Sequence, residues 1–86
     1  MIQRKSEKKI EITNKLGLHA RAAAKFVKVS DNLESEVIVK FGSHTVSGSS
    51  ILGLMSLAAK KGSKITVKCK GNNSLKDLDC ILELIK

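Results

Sequence analysis

The run Lys64–Lys70, KITVKCK, alternates without a break: Ile65, Val67 and Cys69 fall on one side, lysines and a threonine on the other. Such a run is a strand with one buried face. It needs sheet neighbours beside it and a second layer over its apolar side. Two more segments behave alike. Residues 8–13, KKIEIT, put Ile10 and Ile12 on one face, and residues 35–41, SEVIVKF, do the same with Val37, Val39 and Phe41. Gly42 and Ser43 can then turn the chain into a short partner strand at 44–47, HTVS. Between these strands the period changes from 2 to 3.6. In residues 20–30, ARAAAKFVKVS, the residues Ala23, Phe26, Val27 and Ser30 recur at helical spacing, and Asp31 and Asn32 end the run. Ser49 and Ser50 can cap a helix over Ile51–Ala59 that closes near Gly62. Ser74 and Asp77, spaced like a capping pair, open LKDLDCILELIK, where Leu75, Leu78, Ile81, Leu82 and Ile85 form an apolar stripe.

The predicted order is βαββαβα. Strands with one buried face and helices with one apolar stripe pack most economically as an α+β sandwich, with the helices together on one side of an antiparallel sheet. The other face of that sheet would carry Lys, Glu and Thr.

The chain has 86 residues, 42% of them hydrophobic, which suits one domain over residues 1–86 with one core and no metal or disulfide staple. Cys69 and Cys80 lack any CxxC arrangement and read as reduced core thiols. The basic start, MIQRKSEKK, is followed by no apolar run of signal-peptide or membrane-spanning length. The expectation is a soluble cytoplasmic monomer without membrane insertion. Sixteen Lys and Arg against eight Asp and Glu give a net charge of +8, which favours acidic partners. A nucleic-acid role fits poorly, because there is no Trp or Tyr and only Phe26 and Phe41 to stack on bases. Apart from a modest cluster at Arg4, Lys5, Lys8 and Lys9, the basic residues are spread along the sequence, as on an ordinary solvated surface.

One histidine stands at a junction of periods. In NKLGLHARAAAKF, residues 14–26, His19 falls where the strand pattern gives way to the helix pattern. If the helix starts at Ala20, His19 is its N-cap, and the N–H groups of Ala20, Arg21 and Ala22 have no acceptor within the helix. Free donors and the positive end of the helix dipole make such a terminus an anion site. Arg21 adds a planar donor fork that matches phosphate. A neutral imidazole is also a nucleophile. Together these groups suit a histidine that accepts a phosphoryl group and later gives it up. His44 has no comparable setting and is assigned to a surface strand position.

Other chemistries lack their residues. Gly42, Gly48 and Gly53 have the wrong spacing for a phosphate-binding loop. No carboxylate pair forms a metal or acid–base pattern, so no metal and no cofactor are expected. A phosphoryl group on His19 would have to come from one protein and go to another.

Residues 17–26, GLHARAAAKF, preceded by ITNK and followed by SSILGLMSLAAKKG at residues 49–62, resemble the histidine-containing phosphocarrier proteins of the bacterial phosphoenolpyruvate-dependent phosphotransferase system, HPr and its nitrogen-branch sibling NPr. The resemblance runs from about Ile10 to Ile85 and implies the HPr-like open-faced sandwich: a four-stranded antiparallel sheet of order 1-4-2-3 with three helices on one face. It implies that His19 is phosphorylated on Nδ1 by enzyme I and discharged to a histidine of an enzyme IIA domain, so that the chain is a carrier rather than an autonomous enzyme. Arg21 then balances the moving charge, and Ala20 and Arg21 hold the phosphate. Ser50 matches the serine modified by HPr kinase/phosphorylase in many bacteria, although a serine there is first of all an N-cap. The family's common proline after the arginine is Ala22 in this chain.

The segment ILGLMSL completes the reading. A helix that hides Leu54, Leu57 and Ala58 leaves Ile51, Leu52 and Met55 partly off its buried stripe. The resemblance implies that these three residues dock enzyme I and enzyme IIA domains, within a rim of Lys15, Arg21, Lys25 and Lys28. Two other functions stay open at this level. One is a nitrogen-branch regulator that signals by its phosphorylation state, toward which ITNKLG leans; the other is a small basic nucleic-acid-binding module.

Overall fold

The computed structural model describes residues 4–13 and 15–84, and its elements follow the predicted order: β1 (Lys5–Glu11), α1 (Ala20–Asp31), β2 (Glu36–Phe41), β3 (His44–Ser47), α2 (Ile51–Ser56), β4 (Lys64–Lys70) and α3 (Ser74–Leu84). The four strands form one antiparallel sheet of order β1-β4-β2-β3. KITVKCK is thus a central strand, flanked by β1 on one side and β2 on the other. The register brings Ile10 opposite Ile65, Val37 opposite Cys69, and Val39 opposite both Val67 and Val46. These side chains share one face because the strand period is 2, and the three helices cover it. The opposite face carries Lys5, Glu7, Lys9 and Glu11 from β1 and Lys64, Thr66, Lys68 and Lys70 from β4.

The core lies between sheet and helices. Phe26 from α1, Leu54 from α2, Ile65 from β4 and Ile81 from α3 are each 1% exposed or less, and burying side chains of this kind stabilises by roughly 1.5–3 kcal/mol apiece. Ala23 and Ser30 complete the buried stripe of α1, with Val27 half-buried beside it. Asn32 closes α1: its N–H reaches the carbonyls of Val29 and Ser30, and its Nδ2 donates to the Lys28 carbonyl at 2.9 Å.

Four expectations are corrected. Strand β1 begins at Lys5 and ends at Glu11 rather than covering 8–13, although Ile12 is still buried just beyond it. Helix α2 stops at Ser56, short of Ala59. Leu57 caps it, and Ala58 turns to φ +53°, a left-handed conformation no helix continues through, so Ala58 is exposed rather than hidden.

The third correction concerns α3. Among the described residues of that helix, Ser74, Asp77, Leu78 and Ile81 are buried, at spacings i, i+3, i+4 and i+7. Two polar residues occupy the stripe because each has a partner: Ser74 Oγ lies 3.0 Å from Ser6 Oγ, and the Asp77 carboxylate accepts the Ser35 N–H at 2.9 Å. Ser74 and Asp77 are therefore tertiary ties, not a capping pair; the Asn73 carbonyl accepts the Asp77 N–H at 2.9 Å and lies just ahead of the helix. At about 100° per residue, the inward rotation of Ser74 carries Leu75 out to 66% exposure. Ile85 lies outside the described residues. The fourth correction follows from the same rotation: Cys69 is buried in β4, but Cys80 points to solvent.

Candidate functional site

The site grows from the loop between β1 and α1. Ile12 is tied to the turn before β4 by two backbone bonds, its N–H to the Ser63 carbonyl and the Gly62 N–H to its own carbonyl, both 2.8 Å. Farther along, Gly17 takes φ +67°, and a Cβ at that position would overlap the Ala59 carbonyl oxygen. Only glycine satisfies both demands. Next to it the Leu18 N–H donates to the Ala59 carbonyl at 3.0 Å and the Leu18 side chain is buried. The loop is thereby seated on the segment that follows α2.

His19 comes next and is the N-cap of α1, with extended backbone at φ −81°, ψ 177°. Its carbonyl accepts the first intrahelical bond, from Ala23 N–H at 2.9 Å. The N–H groups of Ala20, Arg21 and Ala22 therefore precede the helical ladder, as the sequence predicts. Among the described residues the His19 side chain makes no capping hydrogen bond, and the first turn holds no acidic residue. The imidazole is half-buried, Ala20 and Arg21 are exposed, and Ala22 is half-buried. Arg21, Lys25 and Lys28, at i, i+4 and i+7, form one exposed cationic stripe leading away from the histidine.

Helix α2 packs against α1. Ser50 is its N-cap, half-buried, and its Oγ accepts the Gly53 N–H at 2.9 Å. Leu54 and Leu57 are buried, while Ile51, Leu52 and Met55 are 41%, 80% and 39% exposed. The predicted apolar patch thus lies on the helix neighbouring the one that His19 caps. Lys15 is also exposed, in the loop before it, and His44 is exposed on β3.

Three residues beside the site carry no signal in the helix and strand periods: Leu16, 72% exposed between Lys15 and Gly17, and the exposed pair Lys60 and Lys61. What could have pointed to Leu16 is the motif Leu-Gly-Leu, in which a left-handed glycine sends one leucine in and leaves the other out. Segments 12–30 and 37–76 contain no Asp or Glu at all. These segments, which carry His19, helix α2 and the turn after it, are therefore cationic, apolar and donor-rich. They bring groups that can hold a doubly charged anion and no carboxylate of their own.

A family model described as "PTS HPr component phosphorylation site" matches residues 6–86. The chain belongs to the HPr family. It is 45% identical over 76 residues to the phosphocarrier protein HPr of Neisseria meningitidis, covering 88% of this chain and 85% of that one. It is 38% identical over 81 residues to the phosphocarrier protein NPr of Shewanella violacea, covering 94% and 89%. Among solved structures, the phosphocarrier protein HPr from Bacillus anthracis superposes with a TM-score of 0.90 at 30% identity, covering 95% of this chain and 98% of that one. The order 1-4-2-3 with three helices is the HPr architecture, and the chain is a phosphocarrier of the phosphotransferase system, whose enzymes are the general partners of its family. No helix among the described residues is long and apolar enough to cross a membrane.

Proposed function

We propose that His19 takes a phosphoryl group from the phosphohistidine of enzyme I and passes it to a histidine of an enzyme IIA domain. The observation that carries this reading is the placement of His19 at the open start of α1, with a side chain that makes no cap bond and three backbone donors ahead of the first helical bond. In each transfer one P–N bond breaks as another forms, so no outside reductant or oxidant is required. The transferred group carries close to two negative charges. The helix start and the Arg21 guanidinium offset that charge while it rests on the ring. Binding at the Ala20 and Arg21 N–H groups holds the phosphoryl oxygens without neutralising the bond that must later break.

Ile51, Leu52 and Met55 form the apolar centre of the docking surface, with Lys15, Lys25 and Lys28 around it. Ser50 is the regulatory position for a serine kinase of the HPr type. Its Oγ accepts the Gly53 N–H and keeps a second lone pair, and a phosphoryl group there would add its charge at the edge of the patch. The chain acts as one domain, a monomer in the cytoplasm. The nitrogen-branch reading, in which the phosphorylation state is itself the signal, draws on the NPr relative, 38% identical over 94% of the chain, beside an HPr relative at 45% identity. Relative rates with a sugar-type and a nitrogen-type enzyme I separate the two branches.

Incubation with phosphoenolpyruvate and enzyme I tests the core of the reading. The wild-type chain should gain one acid-labile, base-stable phosphate, His19→Ala should gain none, and His44→Ala should react at the wild-type rate. Equal labelling of His19→Ala and wild type would overturn the assignment.

A further inference from the structure

Strand β1 is an edge of the sheet: β4 lies on one side of it, and among the described residues no strand lies on the other. Its backbone phase is set at both ends. The Arg4 carbonyl accepts the Gly71 N–H at 2.8 Å, and Ile12 is bonded to Ser63 and Gly62, each at 2.8 Å. The register with β4 is unbroken between them. Even-numbered residues therefore turn their backbone groups toward β4, and Lys5, Glu7, Lys9 and Glu11 turn theirs outward. Outward N–H and C=O groups in a row are a template for a further strand. Neither proline nor bulge interrupts this row. The charges along it alternate in sign, so they repel a partner strand in some registers and attract it in others.

We propose that β1 pairs antiparallel with β1 of a second copy of this chain, centred on Lys8, so that two sheets join edge to edge. The inference goes beyond the phosphocarrier reading and does not rest on it. For both helix layers to lie on the same side, an odd-numbered residue must face an odd-numbered one. Centred on Lys8, all seven residues pair. Lys5 then faces Glu11 and Glu7 faces Lys9, and the two-fold axis repeats both couples. Centring on Glu7 sets that residue against its own copy and Lys5 against Lys9; centring on Lys9 sets Glu7 against Glu11. Centres at Ser6 or Ile10 match one lysine–glutamate couple and leave part of the strand unpaired. On the helix side Lys8 meets its own copy, and the carboxylates of Asp79 and Glu83 offset that repulsion, because they line the same groove of about 510 Å³ between β1 and α3. Helix α2 packs against β3, the opposite edge, so a second copy at β1 leaves its apolar patch uncovered. A contact of one strand per copy is small. The pairing is accordingly weak, and the dimer exchanges with the monomer that serves phosphotransfer.

Sedimentation equilibrium of the full chain, carried to millimolar concentration, should show reversible dimerisation. Glu7→Lys sets a like charge against Lys9 of the other copy, and Lys9→Glu does the same to Glu7, so each variant alone should dimerise at least tenfold more weakly. Mixed, the two should pair with each other within threefold of the wild-type affinity, because each restores the other's couple. Lys8 faces itself at a non-hydrogen-bonded position, with Cα atoms about 4.5 Å apart. Lys8→Cys, in a chain where Cys80→Ser removes the exposed thiol, should therefore cross-link on oxidation, and Glu7→Cys in the same background should not. A wild-type chain that stays monomeric at millimolar concentration would overturn the proposal and leave the edge to some other protein. So would a mixture of the two charge variants that pairs no better than either alone, or a dimer that separates only on unfolding, since that is exchange of β1 between copies rather than edge pairing.

Discussion

Ala58 shows how much local conformation the neighbourhood of His19 imposes on single residues. It adopts φ +53° without being glycine, and an L-residue in that region is strained by roughly 1–2 kcal/mol. The strain is tolerated because the next carbonyl, that of Ala59, is the acceptor that holds Leu18 and hence the His19 loop. Ala58→Gly should therefore stabilise the chain by about 0.5–1 kcal/mol, the relief of strain being partly offset by the greater freedom glycine has in the unfolded state. Urea denaturation measures this directly, and a destabilised glycine variant would show that the left-handed turn is not strained.

At the scale of elements, α2 divides its six residues between two tasks. Leu54 is fully buried and anchors the helix, whereas Leu52, two positions earlier, is 80% exposed. Leu54→Ala should cost about 2–5 kcal/mol of stability through the cavity it leaves. Leu52→Glu should leave the melting temperature within a degree or two and raise the KM for enzyme I at least tenfold, because Leu52 serves a partner's surface rather than the core. A large loss of stability in Leu52→Glu would place that side chain in the core. Helix α3 shows the limit of pattern reading on the same scale. Its apolar residues alone suggest a stripe beginning at Leu75, but the packed stripe passes through Ser74 and Asp77, because Ser6 and Ser35 supply their hydrogen bonds.

For the molecule as a whole, one buried thiol makes stability depend on alkaline pH. Burial, and secondarily the nearby charge of Asp77, push the Cys69 thiol from its ordinary value near 9.0 up to about 11. Its raised value means that the unfolded chain loses this proton first. The contribution of Cys69 is thus fully present below pH 9 and lost as pH rises to 11. Urea midpoints measured across that window should fall more steeply for wild type than for Cys69→Ala, whose overall stability is lower but lacks this titration. Parallel slopes would mean that the thiol is not desolvated. A thiol reagent should likewise modify Cys80 at once and Cys69 only on unfolding.

The sequence by itself determined the alternation of elements, the sheet's buried face and the position of His19 at a helix start, because strand and helix periods and cap residues are local properties of the backbone. The exposed character of Ile51, Leu52 and Met55 was legible for the same reason, as residues off a helical stripe. Only the tertiary structure decided where β1 and α2 end, which of the two cysteines is buried and how α3 is rotated. Those outcomes depend on partners far along the chain: Asp77 reaches a residue 42 positions earlier, and Gly17 is fixed by the carbonyl of Ala59. Leu16 and Lys60–Lys61 belong to the same class. Their place beside His19 comes from two loops closing on each other, and no period in either loop records that closure.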